Sequence, residues 1–266
     1  MPLQPFWGSI DSFGTAAYWI DQAHRVRLAD YVITKDFTEE VIACLLGGHG
    51  MPAEVGIAAF RAVRDSGLLQ ASALPAEDSI IRVLEQPLLV RGKTVRYRFP
   101  RQKGRYVAAA LRELRSNPPS GDALEVRARL ATIPGIGLKT ASWIVRNWGA
   151  STQVAIIDVH VMRAGQAAGF LAPEWQLPRD YLRCEEAFLS FAASADISPI
   201  ALDTCIWSQL HELRGLAPAI LRRVNDRRVR GAPDSSDLAT KGDGYEVLAG
   251  ATYTRPDDQA AGRYQR

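Results

Sequence analysis

Lys139 and Asp158 are the residues whose types and spacing best suit covalent chemistry. Lys139 follows the tight sequence Pro134-Gly-Ile-Gly-Leu138, and Asp158 comes nineteen residues later, after an apolar run over 154–157. The lysine falls in the first turn of a predicted helix. The positive end of that helix disfavours a charged ammonium and therefore favours the neutral amine, which is a nucleophile. A lysine that only contacts phosphate is the alternative.

Gly135 and Gly137 form the turn that precedes this helix. Glycine permits backbone conformations that a side chain obstructs, and the amides that follow point outward at the helix N-terminus, where partial positive charge attracts a phosphate. A phosphate site of this kind binds a nucleic-acid backbone without sequence preference. An ordinary corner between two helices has the same residues, so the turn alone leaves both interpretations open.

Asp158 also has two interpretations. Just before a predicted helix, aspartate is a common N-cap. A carboxylate there could equally orient the attacking amine or stabilise an oxocarbenium-like sugar, and the two roles are compatible. His160, two residues later, could donate a hydrogen bond to a phosphate, or it could be incidental to the helix start.

Three further residues could contact a base. Trp143 lies four residues after Lys139 and shares its helix face, where an indole could stack on an extruded base. Asp203 and Trp207 form another pair at this spacing. The alternatives are structural, because tryptophan commonly packs in a core and aspartate commonly caps a helix.

The elements that must position these residues are predicted to be helical. Apolar residues recur at helical spacing, which indicates an all-α fold. The segment 154–157 has no evident strand partner and is predicted to be extended. From residue 225 the periodicity disappears and polar residues dominate, so we expect a domain over 1–224, a hairpin motif at about 123–148 and a flexible tail over 225–266. The predicted helices are 39–46, 54–63, 78–84, 103–114, 123–131, 138–148, 159–168, 180–193 and 200–213.

The composition of the sequence says less about function than the motifs do, but it excludes some classes of protein. The 266 residues carry a net charge of +3, and seven Lys or Arg without any acid lie over 91–105, where they could track phosphates or form a solvated face. The three cysteines are widely spaced, which favours a reduced cytosolic compartment over a disulfide framework and predicts no metal site. No signal peptide is evident, and no apolar run is long enough to span a membrane.

The motifs Ile-Pro-Gly-Ile-Gly-Leu-Lys-Thr-Ala and Val-Ala-Ile-Ile-Asp-Val-His together resemble the signature of the helix-hairpin-helix (HhH-GPD) DNA glycosylases, which perform base excision repair. The resemblance implies a two-lobed helical fold with the hairpin beside a cleft. It also implies that Lys139 attacks C1′ of the damaged nucleotide and that Asp158 is the catalytic carboxylate. Members with this lysine are both glycosylases and AP lyases.

The spacing and the Asp-Val-His triplet look most like the compact, archaeal-type 8-oxoguanine DNA glycosylases. In that group an oxidised base would lie between Trp143 and Trp207 and meet Asp203. A glycine-rich loop over 47–52 would supply a wedge, His49 or Met51, to fill the gap in the duplex, and a plain glycine-rich turn is the alternative. Other branches, which act on oxidised pyrimidines or alkylated bases, and a non-catalytic hairpin module that grips DNA, are the alternatives.

The resemblance also predicts what the protein binds. The endonuclease III branch holds an iron–sulfur cluster through four closely spaced C-terminal cysteines that this sequence lacks, so no cluster is expected. No redox cofactor or catalytic metal is expected either, although the family suggests a monovalent cation at the hairpin. The expected partner is double-stranded DNA with a damaged base. The protein is predicted to be a monomer that does not bind membranes, and to be cytoplasmic, or nucleoid-associated in a prokaryote.

Overall fold

The computed structural model describes residues 3–27, 33–48 and 50–230, and within these ranges the fold is helical, as the sequence predicts. A short antiparallel hairpin, β1 (Leu88–Val90) and β2 (Lys93–Val95), is the one departure from an all-α fold among the described residues. The helices are α1 (Ala16–Arg25), α2 (Phe37–Leu46), α3 (Ala53–Asp65), α4 (Glu77–Glu85), α5 (Pro100–Ser116), α6 (Ala123–Leu130), α7 (Leu138–Gly149), α8 (Val159–Ala168), α9 (Tyr181–Ser194), α10 (Pro199–Glu212) and α11 (Ala217–Arg230).

Two separate hydrophobic cores divide these elements into two lobes, which confirms the predicted two-lobed architecture. The first lobe comprises α2–α7 with the β-hairpin, and Phe60 and Leu111 are among its fully buried side chains. The second lobe comprises α1 and α8–α11, around Trp19 and Phe188. The chain passes from the first core to the second over residues 154–157, which we call the crossing segment.

Local sequence signals account for several helix starts. Asp122 and Glu125 form a capping box at the start of α6, in which each side chain accepts a hydrogen bond from the other residue's backbone N–H. At α2 the N-cap is Asp36, which accepts from the Glu39 N–H at 2.9 Å.

The sequence analysis missed α1, α11 and the β-hairpin. The hairpin turns at Arg91 and Gly92, both with positive φ (49° and 74°), which is the type I′ geometry that matches strand twist. Helix α11 runs to Arg230, so the tail does not begin at 225 as predicted, and residues 231–266 lie outside the described part of the chain. Trp148, near the C-terminal end of α7, is 37% exposed and packs edge-on against Phe37.

No single helix among the described residues is long and apolar enough to cross a membrane. Helices α9 and α10 pass such a test only as a pair bent by 110°. Many of their apolar side chains, Phe188 and Leu202 among them, are buried in the second core.

Candidate active site

The two hairpin glycines, which lie between α6 and α7, differ in what they do. Gly135 has a φ of 88°, and a Cβ there would lie 2.3 Å from Cδ2 of Tyr106. Gly137 is the N-cap of α7 with an ordinary φ of −89°, and a Cβ there would meet nothing within 4 Å. The argument that both glycines are required by the backbone is therefore correct for Gly135 and wrong for Gly137, which instead leaves an open approach to the helix N-terminus.

Asp158 is the N-cap of α8, as one of its two interpretations predicts. Its Oδ1 accepts from the backbone N–H groups of His160 (2.8 Å) and Val161 (2.9 Å). These two bonds fix the orientation of the carboxylate. The capping role does not remove Asp158 from the site, because the same side chain lines a cavity that it shares with Lys139.

This cavity, of 440 Å³, brings together six of the residues predicted from the sequence. Lys139, Trp143 and Met51 come from the first lobe, and Asp158, Asp203 and Trp207 come from the second, so the cavity is built by both lobes. A larger depression of 840 Å³ lies beside Trp148, but it contains none of the predicted residues. The cavity lining consists of Gly48, Met51, Pro52, Ala53, Lys139, Trp143, Arg146, Ile156, Asp158, Val161, Asp203, Thr204, Trp207 and His211.

Two indoles on opposite lobes line the cavity. Trp143 is 36% exposed and Trp207 is 42% exposed, so neither is a core residue. The ring of Trp207 stacks on His211, with 4.8 Å between centroids and 12° between planes. One face of Trp207 is thus covered by His211, and a base could stack only on the other face. His211 was not identified from the sequence, although it lies one helical turn after Trp207.

Asp203 forms a buried ion pair with Arg146, and its carboxylate also accepts from the Ile156 N–H (3.4 Å) and the Thr204 hydroxyl (3.4 Å). Burial raises the pKa of Asp203 to about 6, against the opposing effect of Arg146. Both carboxylate oxygens therefore already have donors within the protein. Direct contact between Asp203 and a base stays a prediction.

Arg146 also lines the cavity and was not predicted from the sequence. It lies on α7 seven residues after Lys139 and three after Trp143, so these three side chains share one helix face. That spacing was the available signal. The Arg146 side chain is only 7% exposed, and the carboxylate of Asp203 neutralises its charge.

The base of the predicted wedge loop is held by side chains from the basic segment 91–105. The Lys103 ammonium donates to the carbonyls of Leu45 (2.5 Å) and Gly47 (3.1 Å), and the Tyr97 hydroxyl donates to the carbonyl of Leu46 (2.5 Å). Burial lowers the pKa of Lys103. Met51 lies in the cavity, whereas His49, the other predicted wedge residue, lies outside the described residues.

Much of the basic segment is engaged within the protein. Lys103 donates to backbone carbonyls at the base of the wedge loop, and three arginines form ion pairs with nearby glutamates. These pairs are exposed and individually weak, so they compete only modestly with a phosphate. The pairs are Arg91–Glu54 (2.5 Å), Arg101–Glu85 (3.4 Å) and Arg105–Glu77 (3.2 Å).

His160 is the second residue of α8, close to its N-cap Asp158, but it does not line the cavity. Its Nδ1 is buried and has no hydrogen-bond partner among the described residues. Burial lowers the pKa of His160, with Asp158 opposing, so the neutral imidazole is favoured. Its contact with a phosphate stays a prediction.

A monovalent cation at the hairpin stays a prediction. The carbonyls of Leu130 and Ile133 each accept one backbone N–H, from Ile133 (3.1 Å) and Ile136 (3.0 Å) respectively. Each carbonyl oxygen keeps a second lone pair, and such oxygens suit hard cations. In the part of the chain that the structure describes, no cluster of three or more His, Cys, Asp or Glu is arranged to hold a metal ion.

Comparison with known proteins agrees with this geometry. Residues 26–197 match the family model for 8-oxoguanine DNA glycosylase (Ogg-HhH). An 8-oxoguanine DNA glycosylase/AP lyase from Metallosphaera sedula is 33% identical over 122 residues, which are 43% of this chain and 59% of the relative. This chain thus spans 59–60% of the length of the curated relatives that it matches.

Solved structures give the same fold. The 8-oxoguanine DNA glycosylase of Thermotoga maritima superposes with a TM-score of 0.51 at 22% identity, covering 73% of this chain and 88% of that one. The 8-oxoguanine glycosylase/lyase of Methanocaldococcus jannaschii, solved with a 15mer DNA containing 8-oxoguanine, superposes with a TM-score of 0.50 at 22% identity, covering 72% and 88%. Because the family match spans well over half of the sequence, this chain belongs to the 8-oxoguanine DNA glycosylase family, with the helix-hairpin-helix fold of those enzymes.

Proposed function

We propose that this protein removes 8-oxoguanine from duplex DNA and then cleaves the abasic strand, as a bifunctional DNA glycosylase and AP lyase. The observation that carries the proposal is the shared cavity, in which Lys139 of one lobe and Asp158 of the other lie with the indoles of Trp143 and Trp207. A nucleophilic amine, a carboxylate and two stacking surfaces are what excision of an extruded base requires.

The chemistry assigned to Lys139 proceeds in three steps. Its neutral amine forms a bond to C1′ while the N-glycosidic bond breaks, and the departing base takes the electron pair and a proton. The nitrogen, which carries two hydrogens after the attack, gives up one of them, and its lone pair then opens the C1′–O4′ bond as O4′ takes a proton. This leaves an iminium between C1′ and Nζ, which keeps one hydrogen. Removal of a C2′ proton expels the 3′ phosphate by β-elimination and nicks the strand. These steps use no redox cofactor and no metal.

Asp158 supports this sequence from its place at the start of α8. Its Oδ1 is held by two backbone N–H groups, which fixes the carboxylate where it lines the same cavity as the amine. A fixed negative charge stabilises the positive charge that develops on the sugar as the base leaves.

DNA binding is assigned to the hairpin. The open approach at Gly137 lets a phosphate reach the N-terminus of α7, and a monovalent cation on the carbonyls of Leu130 and Ile133 would add positive charge beside it. Met51 would occupy the space that the extruded nucleotide leaves. The relatives named for 8-oxoguanine support the choice of lesion.

Borohydride trapping tests the proposal. Reduction of the iminium should link wild-type protein covalently to a duplex containing 8-oxoguanine, and Lys139→Gln should abolish the adduct while still binding the duplex. Trapping only on a duplex with an oxidised pyrimidine or an alkylated base would replace 8-oxoguanine as the substrate. If no covalent adduct formed with any lesion or with an abasic site, the enzymatic proposal would be refuted, and the protein would be interpreted as a DNA-binding module.

A further inference from the structure

The crossing segment has an unusual hydrogen-bond environment. Among the described residues it belongs to no helix or strand, and its backbone N–H groups are bonded instead by buried side chains of the second lobe. The Ala155 N–H donates to Oε1 of Glu185 (3.0 Å), and the Ile157 N–H donates to the hydroxyl of Tyr181 (3.4 Å). That hydroxyl donates in turn to the Ala155 carbonyl (2.8 Å).

Glu185 connects this segment to the first lobe. Its Oε2 pairs with Arg127 of α6, and its Oε1, which holds Ala155, also accepts from the Ser142 hydroxyl of α7 at 3.5 Å. The side chains of Glu185 and Arg127 are only 6% and 11% exposed. A single buried carboxylate therefore ties α6 and α7, which carry the hairpin and Lys139, to the backbone three residues before Asp158.

From this geometry we infer that Glu185, held by Arg127, is a positioning residue that sets Asp158 opposite Lys139 by fixing the Ala155 N–H. This inference rests on the proposed function for its kinetic consequence. Glu185 does not line the cavity and touches neither the lysine nor the aspartate, so it acts through the backbone. Tyr181 fixes the same segment from a second direction.

The test must separate positioning from simple stability. Removing only Glu185 would leave a buried, uncompensated arginine, which destabilises a protein strongly, whereas replacing both partners by apolar residues of similar size is often neutral. We therefore compare the double variants R127M/E185Q and R127M/E185M. The glutamine can still accept from the Ala155 N–H, and the methionine cannot.

The expected result is a difference in chemistry with little difference in binding. At saturating 8-oxoguanine duplex, the single-turnover excision rate of R127M/E185M should fall on the order of 10²-fold, the loss typical of a misplacement of about 1 Å. R127M/E185Q should keep most of the wild-type rate, and both variants should bind a duplex with a stable abasic analogue equally well. Equal rates in the two double variants would overturn the inference.

Two further measurements keep the inference falsifiable. Tyr181→Phe keeps the ring but loses the hydroxyl, so it should lower the same rate constant even if R127M/E185M folds poorly, and an unchanged rate would count against the inference. Amide hydrogen exchange over 155–158 should be faster in R127M/E185M than in R127M/E185Q, whatever the protein's activity. A failed proposed function would appear as wild-type protein that traps on no substrate, whereas a failed positioning role would appear as equal exchange in the two double variants.

Discussion

Replacing Gly135 and Gly137 separately by alanine tests the distinction between the two hairpin glycines. At Gly135 the φ of 88° is one that side chains rarely adopt, and the new Cβ would lie 2.3 Å from the ring of Tyr106. Such a backbone conformation costs about 1–3 kcal/mol, and displacement of a packed side chain adds a similar amount. Tyr106 is only half-buried and can rotate outward, so the combined cost of backbone strain and side-chain displacement should lie near the lower end of its range.

For Gly135→Ala we therefore expect a loss of about 2 kcal/mol in the free energy of unfolding. In a protein of this size that corresponds to a decrease of roughly 4–8 °C in Tm. Gly137→Ala is the matched control. Its φ of −89° suits alanine and its Cβ meets no atom within 4 Å, so Tm should stay close to the wild-type value.

For DNA binding the order should be reversed, with Gly137→Ala as the variant that is affected. Gly137→Ala places a methyl group in the open approach to the N-terminus of α7, and we expect it to weaken binding of damaged and undamaged duplexes by a similar factor, because backbone phosphates carry no sequence information. Fluorescence anisotropy with damaged and undamaged duplexes measures the DNA affinity of both variants, and thermal unfolding measures their Tm. A Gly137→Ala protein that binds as tightly as wild type would refute the phosphate grip, and a normal Tm for Gly135→Ala would refute the steric argument.

Two further predictions concern the cavity. Trp207→Ala should weaken binding of an 8-oxoguanine duplex by about 1–3 kcal/mol, the contribution of one aromatic stack, while Trp148→Ala, a similarly exposed tryptophan outside the cavity, should leave affinity unchanged in the same titration. Asp203 has a pKa raised from 3.8 to about 6, so between these values the folded protein binds a proton that the unfolded chain does not. Its contribution to the free energy of unfolding should therefore increase as pH falls through this window, and denaturant titrations should show wild type gaining stability relative to Asp203→Asn over the same pH range. The opposite slope would mean that attraction by Arg146 outweighs burial.

The sequence indicated the residues that line the shared cavity better than it predicted the elements around them. Lys139 and Trp143 share a helix face, and Asp158 follows an apolar run, so local spacing was enough to nominate them. The pairing of Asp203 with Arg146 could not be predicted in this way, because the two residues lie on helices of different lobes. The same limit applies to Trp207 and its distance from Trp143, which depends on how the lobes pack.

The elements that were missed also have physical reasons. The β-hairpin has only three residues in each strand, too few for an alternating pattern, and its turn uses Arg91-Gly92 in place of the Asn-Gly that usually announces a type I′ turn. Helix α11 is rich in arginine at its C-terminal end, which resembles a polar tail. Its apolar side chains, Leu221 and Val224, become a helical stripe only once the second core gives them a surface to bury.

The crossing segment explains why the relation between amine and carboxylate is not a local property of the sequence. A β-partner would hold an extended segment by a ladder of backbone bonds, but here Glu185, Asp203 and Tyr181 each satisfy one N–H. Two of these side chains are paired with arginines of the first lobe, so the bonds that fix the segment are also bonds between the lobes. Lys139 is carried by one lobe and Asp158 by the other. Any change in lobe packing must therefore change the distance between the amine and the carboxylate. Buried residues outside the cavity thus help to determine the rate of the chemistry inside it.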